Sequence, residues 1–544
     1  MSRRGGPRRA PTFTALVLLA ATGTTFVLLA AACAAPTPSP TPRPTPTVMP
    51  TAETLGRTEL PLGVQIFEDD VTTPALEHLR EAGVAWARVR ALWKLSEPRP
   101  GRYDWTVTDR LFGDATAAGF RMVAVVYANP DWVTEAECRP VPADKIERYA
   151  AFWQALVERY DGDGRDDAPE GSVVRYWQVS NEPDFDPGQA DGEGDYGGCF
   201  GDDPQRYAAQ LVVAYRAAKA ADPAAQVGFG PVAWDRFTAD SMPPGWTAPP
   251  GPYVLDFTQR ALEAMYRDQA GQPDLPFCDF VGLHNYPDNA HYWDQGGRRE
   301  LVAKVAAFRE SQLALPGVFD LRRLPLLISE TGMPAGPSDE WTERSEALQA
   351  VYVGQTMVRA LAARAMAAIW YTARDNIVGD CLPPHYDWLS FGLMRSDDYL
   401  DALKRRCPNQ DWVAADAYRL DSGATPRPAL RALAALTAAL RGYSFERPLS
   451  AEETGGAAVE AYRFRGEGGR TLLAAWASDG SRLGARSAEA PSARLTVGAF
   501  ALAPWNGRIR VTDHLGEAVD LGRKGDESVE LGLNAAPVYV TVAD

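Results

Sequence analysis

Between residues 58 and 442, short apolar runs alternate with longer segments whose apolar positions return every three or four residues. The short runs are Leu62–Phe67, Trp86–Val89, Met122–Tyr127, Val173–Val179, Val227–Gly230, Phe280–His284, Leu326–Ser329 and Ala367–Tyr371. They have the length of strands, and the longer segments have helical period. Ile146, Tyr149, Trp153, Leu156, Val157 and Tyr160 share one helix face, which marks them as core. Local punctuation agrees: Thr73 and Pro74 open one helix that Gly83 stops, and Asp203-Pro204 opens another. Alternating strands and helices imply a parallel sheet covered by helices. Eight such units predict an α/β fold, a (β/α)8 TIM barrel with inserted loops. A closing helix is expected over Pro426–Leu440, after an insertion near 398–423.

From 443 to 544 the period changes to two. Val459–Phe464, Leu472–Trp476, Leu495–Val497, Ile509–Val511 and Val538–Val542 are short alternating strands separated by turn residues. They predict a small C-terminal antiparallel β-sandwich. Structural support of the barrel is its expected role ahead of carbohydrate binding, because a fold alone does not supply a function.

The first 33 residues have a third pattern. Arg3, Arg4, Arg8 and Arg9 precede an uncharged, mostly apolar stretch over 12–32, as in a secretory signal. It ends Leu29-Ala30-Ala31-Ala32-Cys33, similar to a bacterial lipoprotein cleavage site at which Cys33 is lipidated, although Ala30 stands where leucine is usual. An uncleaved signal anchor is the alternative. Residues 34–57 are rich in proline and threonine and form an extended tether rather than a core. The expected location is extracytoplasmic, tethered to the membrane, with plain secretion as the other outcome. The formal charge of −16, from 55 basic and 71 acidic residues, disfavours nucleic acid and anionic membrane surfaces as partners. A neutral oligo- or polysaccharide meets no such repulsion.

An exported location permits disulfides. Besides Cys33 there are five cysteines. Cys138 and Cys199 lie in the loops after the third and fourth strands, and Cys381 and Cys407 bracket the loop after the eighth. Sequence alone fixes no connectivity. The shared loop positions make Cys138–Cys199 and Cys381–Cys407 the expected pairs, with Cys278 a buried free thiol.

Two strands end in a glutamate. Val173–Val179 runs into Asn181-Glu182-Pro183, where proline stops the ladder, and Leu324–Ser329 runs into Glu330-Thr331-Gly332. Strand C-termini form the face on which barrels carry chemistry. Two carboxylates there are what glycosidic bond cleavage requires.

Asn181-Glu182-Pro183 together with Ile328-Ser329-Glu330-Thr331-Gly332 resembles clan A of the glycoside hydrolases. Trp93-Lys94-Leu95-Ser96-Glu97-Pro98 with Gly101-Arg102-Tyr103-Asp104-Trp105 is similar to families 39 and 5 of that clan. The resemblance implies a retaining enzyme with no cofactor. Glu182 would be the acid/base and Glu330 the nucleophile, with the charge of Glu330 keeping Glu182 protonated. It implies that Arg88, or Arg90 in its place, lies beside the nucleophile. Asn181 would bind the sugar 2-hydroxyl, and His284 and Tyr286 would stand beside the nucleophile. Trp370 would form the aromatic floor, with Trp93 and Trp132 as further platforms. The expected substrates are those of β-xylosidases, β-glucosidases, endo-glucanases and mannanases.

Other chemistries find no support in the residue pattern. The five histidines include no His-x-x-x-His pair, and no Gly-x-Ser-x-Gly elbow is present. Gly228-Phe229-Gly230 mimics a dinucleotide fingerprint, but Pro231 stands where a helix would have to start. Asp161-Gly162-Asp163-Gly164 and the acidic loop Asp184–Asp203 lack calcium-loop spacing, so solvated loops are expected and no metal site. A non-catalytic carbohydrate-binding surface protein on a barrel scaffold is the rival reading.

Overall fold

The computed structural model describes residues 59–67, 73–189, 200–246, 250–287, 300–336, 345–375, 390–395, 424–456, 458–478, 493–498, 509–519 and 528–542. The signal segment, the tether, Cys33, Cys199, Cys381, Cys407 and the 398–423 insertion lie outside them, as does part of the acidic loop after Asp184.

Eight strands form the barrel: β1 (Leu62–Gln65), β2 (Trp86–Leu92), β3 (Arg121–Tyr127), β4 (Tyr176–Val179), β5 (Gln226–Val232), β6 (Phe280–Asn285), β7 (Leu326–Thr331) and β8 (Ala367–Trp370). Each pairs in parallel with its neighbour, and β8 closes on β1 through Leu62 opposite Ala368. Among the described residues eight helices of two turns or more accompany them: α1 (Thr73–Glu81), α2 (Thr106–Ala117), α3 (Ile146–Arg159), α4 (Pro204–Ala221), α5 (Phe257–Asp268), α6 (Glu300–Gln312), α7 (Glu346–Ala362) and α8 (Pro428–Leu440). Two starts are capped: Asp203 accepts from the Arg206 N–H, and Ser345 from the Leu348 N–H. Gly83 ends the turn after α1 with φ +78°, a conformation open to glycine. The strand predicted from Val173 begins three residues later, at Tyr176.

Side chains alternate between the barrel interior and the helices. Trp86, Val123, Phe280, Leu327, Ala367 and Ile369 form an inner cluster. Trp177, Val179, Ala368 and Trp370 belong to the larger core shared with the helices. Two to four residues further along the inward positions, the lining becomes polar: Gln65, Arg88, Gln178, His284 and Glu330, all buried. Pairing shifts register at the C-terminal ends, between Phe229 and Val232 on β5 and between Leu283 and His284 on β6. Such irregularities bend a strand end and re-aim its side chains. The dinucleotide-like Gly228–Gly230 is therefore part of a barrel strand. A Cβ at Gly230 would collide with the Val179 carbonyl, and its N–H donates to the Tyr207 hydroxyl at 2.6 Å.

After α8 the chain forms β9 (Tyr443–Pro448), β10 (Val459–Gly466), β11 (Thr471–Ala477), β12 (Ala493–Gly498), β13 (Ile509–Asp513), β14 (Ser528–Leu533) and β15 (Val538–Val542). Five make an antiparallel sheet in the order β9-β10-β11-β15-β13, and β12 pairs with β14. One face of the larger sheet, with Ala461, Leu473, Ala475 and Val540, shares a core with Leu495, Val497, Leu531 and Leu533 of the small sheet. The other face, with Tyr462, Leu472, Ala474, Trp476 and Tyr539, joins the barrel core. Polar contacts reinforce that face. Arg359 of α7 is buried between Glu300, at 2.6 Å, and Glu460 of β10, at 2.8 Å. Its guanidinium carbon also lies 5.4 Å from the Trp476 ring centroid.

Cys278 is buried as a free thiol. Cys138 is disulfide-bonded, and its expected partner Cys199 lies outside the described residues. Glu158, Asp161 and Asp163 bring carboxylate oxygens within 4.8 Å of one another where α3 ends. Among the described residues no helix is long and apolar enough to cross a membrane.

Candidate active site

The two glutamates meet at the C-terminal mouth of the barrel. Glu330 is the fifth residue of β7 and is only 8% exposed. Arg88 Nη1 donates to Glu330 Oε1 at 2.5 Å, and the Tyr286 hydroxyl donates to Glu330 Oε2 at 2.6 Å. Arg88 is held in turn by Gln65 Oε1 at 2.8 Å, Gln178 Oε1 at 3.3 Å and Asn181 Oδ1 at 2.6 Å. A guanidinium fixed on four sides is a preorganised positive charge against the carboxylate. Arg90, two residues nearer the rim, lies over the Phe67 ring at 4.4 Å, so Arg88 is the arginine bonded to Glu330.

Glu182 follows β4 in an unusual backbone path. Ser180 has φ +69° and Glu182 φ +43°, both in the left-handed region that side chains disfavour. Hydrogen bonds to the neighbouring strands support the path: Ser180 N–H donates to the Val126 carbonyl at 2.9 Å, and Glu182 N–H to the Pro231 carbonyl at 2.8 Å. The side chain turns inward, where His284 Nδ1 lies 2.9 Å from Oε1 and the Tyr253 hydroxyl donates to Oε2 at 2.8 Å. The same His284 nitrogen lies 3.5 Å from Glu330 Oε2.

Burial is the first cause that raises the Glu182 pKa above the ordinary carboxylate value. The next contributions, from Tyr253, Arg88, Lys304 and Arg236, all lower it. Desolvation is thus the leading cause of the upward shift, ahead of any repulsion from the Glu330 charge. Burial also pushes His284 down to about 4, so its imidazole is neutral near pH 7. Burial holds the Tyr286 and Tyr253 hydroxyls well above their ordinary value, so both are donors.

Asn181, His284 and Tyr286 come to the site as expected, but His284 is nearer Glu182 than Glu330. The aromatic assignments need correction. Trp370 is fully buried and packs on Tyr352 of α7 with centroids 6.1 Å apart, its indole N–H donating to the Phe391 carbonyl at 2.9 Å. Strand parity explains this: Ala367 and Ile369 point inward, so Trp370 points to the helices. Tyr371 has the inward parity instead, and its ring stands 6.3 Å from Tyr286 and 5.8 Å from Phe67. Trp93 is 1% exposed and stacks on Phe152 at 5.2 Å, which makes it core rather than a platform. Trp132 is half-buried, edge-on to Trp93 at 5.7 Å, with its indole N–H on the Glu97 carbonyl.

Four further residues of the site carry a weak or misleading signal in the sequence. Gln65 and Gln178 were visible as lone amides at inward positions of apolar strands. Tyr253 lies after the Pro- and Gly-rich stretch that follows β5, where no periodicity marks it. Asp184 was assigned to a solvated acidic loop, yet it is fully buried, and its carboxylate accepts the Ala233 and Trp234 N–H groups at 3.1 and 2.9 Å. Burial pushes that carboxyl up to about 8 against those two donors.

No protein-family model matches this chain, and no curated protein matches it. Solved structures do. A family 39 glycoside hydrolase from Bacteroides cellulosilyticus WH2 superposes with TM-score 0.57 at 16% identity, covering 90% of this chain and 81% of that one. A glucosidase from Croceicoccus marinus gives 0.52 at 17% identity, covering 90% and 96%. The family 30 subfamily 8 xylanase Xyn30A from Clostridium acetobutylicum gives 0.50 at 11% identity, covering 89% and 97%. At these identities the likeness is one of fold.

Proposed function

We propose that the protein is a retaining β-glycoside hydrolase that works by double displacement. The observation that carries this is His284. One nitrogen lies 2.9 Å from an oxygen of Glu182 and 3.5 Å from an oxygen of Glu330, so those two oxygens are at most about 6.4 Å apart. Retaining sites hold their carboxyl groups about 5–5.5 Å apart, and inverting sites about 6.5–9.5 Å, to admit a water. The bound favours the retaining class.

In this reading Glu330 attacks the anomeric carbon while Glu182 gives its proton to the leaving oxygen, forming a glycosyl ester on Glu330. Arg88 and Tyr286 orient the Glu330 carboxyl group, and burial raises the Glu182 pKa, which favours the proton-donating form. Glu182 then takes a proton from water as that water attacks the anomeric carbon and the ester bond breaks. The substrate is a β-linked oligo- or polysaccharide of the kind cleaved by glucosidases, xylosidases, xylanases or mannanases. Wild-type enzyme acting on a panel of β-linked nitrophenyl glycosides should release first product as the β-anomer, followed by NMR before mutarotation. A first-formed α-anomer ends the double-displacement reading.

The same proposal places the enzyme outside the cytoplasmic membrane, on a lipid attached at Cys33 and at the end of the Pro/Thr tether. The sandwich supports the barrel, as the buried Arg359 contacts favour. Cys33→Ala should move the protein from the membrane fraction to the soluble or unprocessed fraction with unchanged kcat. Wild-type protein recovered in the cytoplasm contradicts the export reading.

A further inference from the structure

Tyr253 belongs to neither glutamate's strand, yet its hydroxyl meets Glu182 Oε2. It is held there by backbone on both sides. It bridges Phe185, three residues after Glu182, in antiparallel fashion, and Phe237 in parallel fashion. Its carbonyl accepts the Thr238 N–H at 2.8 Å. Asp184 fastens the same assembly: its carboxylate takes the Ala233 and Trp234 N–H groups, and its carbonyl takes the Val254 N–H at 2.9 Å. The loop after β5 is therefore latched to the Glu182 turn from within.

We propose that Tyr253 is a positioning residue that holds Glu182 Oε2 as a hydrogen-bond acceptor and so favours the ionised carboxylate that acts as base in the second displacement. The inference rests on Glu182 being the acid/base. A donor on a carboxylate stabilises its charged form, and the Tyr253 hydroxyl stays protonated because burial raises it. The bond opposes burial, which favours the neutral form. Glu182 needs both forms in one cycle, and Tyr253 supplies the counterweight. Other charged or titratable groups face Glu182: Arg88 from β2, His284 and Tyr286 from β6, and Glu330 from β7. Asp184 does so from its own turn, Arg236 from the loop after β5 and Lys304 from α6, while Asp235 of that loop faces Tyr253 and His284. Tyr253 and His284 hold its two carboxylate oxygens.

The test is Tyr253→Phe, which removes one oxygen and keeps the ring. With a dinitrophenyl glycoside, whose leaving group needs no proton, the first displacement should be nearly unaffected and the second slowed. We expect kcat to fall about tenfold, the value of one charge-assisted hydrogen bond, with kcat/KM nearly unchanged and KM reduced in step. With a nitrophenyl glycoside of poorer leaving ability, the basic limb of the kcat/KM profile, set by Glu182 ionisation, should move to higher pH. Difluorotyrosine placed at position 253 keeps the shape and strengthens the donor, so it should move that limb to lower pH even if the Phe variant does not fold. An unmoved limb in both proteins, or equal losses in kcat and kcat/KM, overturns the proposal and leaves Tyr253 structural. Glu182→Ala run alongside separates the two readings. If it retains the wild-type basic limb, Glu182 is not the acid and the fault lies in the catalytic assignment.

Discussion

Glu330→Ala should lose activity on every glycoside by several orders of magnitude, while Glu182→Ala should fail selectively. The first variant has no nucleophile, and groups that act as a unit are lost as a unit. The second keeps its nucleophile, still oriented by Arg88 and Tyr286. Dinitrophenolate departs without a proton, so the ester on Glu330 should form and accumulate, because the base for its hydrolysis is gone. Azide needs no base. It should restore turnover of Glu182→Ala and give a β-glycosyl azide. In Glu330→Ala, azide should enter the vacated side and give the α-glycosyl azide. Stereochemistry by NMR reads the two outcomes directly. Exchanged products would exchange the roles of the two residues, and rescue of neither would remove the double-displacement mechanism.

The barrel was legible because burial on both faces writes a strand as an unbroken apolar run, and eight such runs leave few other folds. Glu182 and Glu330 were legible for a related reason: a carboxylate at the end of such a run has no packing role there. Arg88 and Arg90 were visible as charges on the strand that begins at Trp86, and only the family resemblance put Arg88 first. What escaped notice depended on parity or on long-range contact. Trp370 and Tyr371 are neighbours, and only the inward positions of Ala367 and Ile369 reveal that the tyrosine faces the site. Trp93 follows β2 directly, but its place is decided by α3, through Phe152 and Tyr149. Tyr253 is 71 residues from Glu182 in an aperiodic loop. Its position depends on a latch between two loops, which no local pattern encodes. The raised pKa of Glu182 was anticipated, but its cause was not, since desolvation is a property of the packed mouth rather than of any residue pair.

Arg359→Ala should cost about 3–5 kcal/mol of stability, the usual loss when one partner of a buried ion pair is removed. Arg359 is 3% exposed and lies between Glu300 and Glu460, and the Tyr462 hydroxyl donates to Glu460 at 2.6 Å. Alanine removes the guanidinium from the buried carboxylates of Glu300 and Glu460 and withdraws it from Trp476. The loss stems from buried carboxylate charge deprived of this guanidinium rather than from the pair's own worth, so replacing the carboxylates as well should reverse it. Replacing Arg359, Glu300 and Glu460 together by apolar residues of similar volume should recover most of the stability. Urea titration with an unchanged slope measures both variants. Arg359 belongs to the helix after β7, on the side of the barrel that meets β10, and its ion pairs are with Glu300 and Glu460, not with Glu182 or Glu330. Below its own unfolding transition, Arg359→Ala should therefore keep wild-type kcat. A loss under about 1 kcal/mol would match a surface pair rather than a buried one. It would mean that water reaches the face joining the sandwich to the barrel, and the sandwich would no longer count as a support for the site.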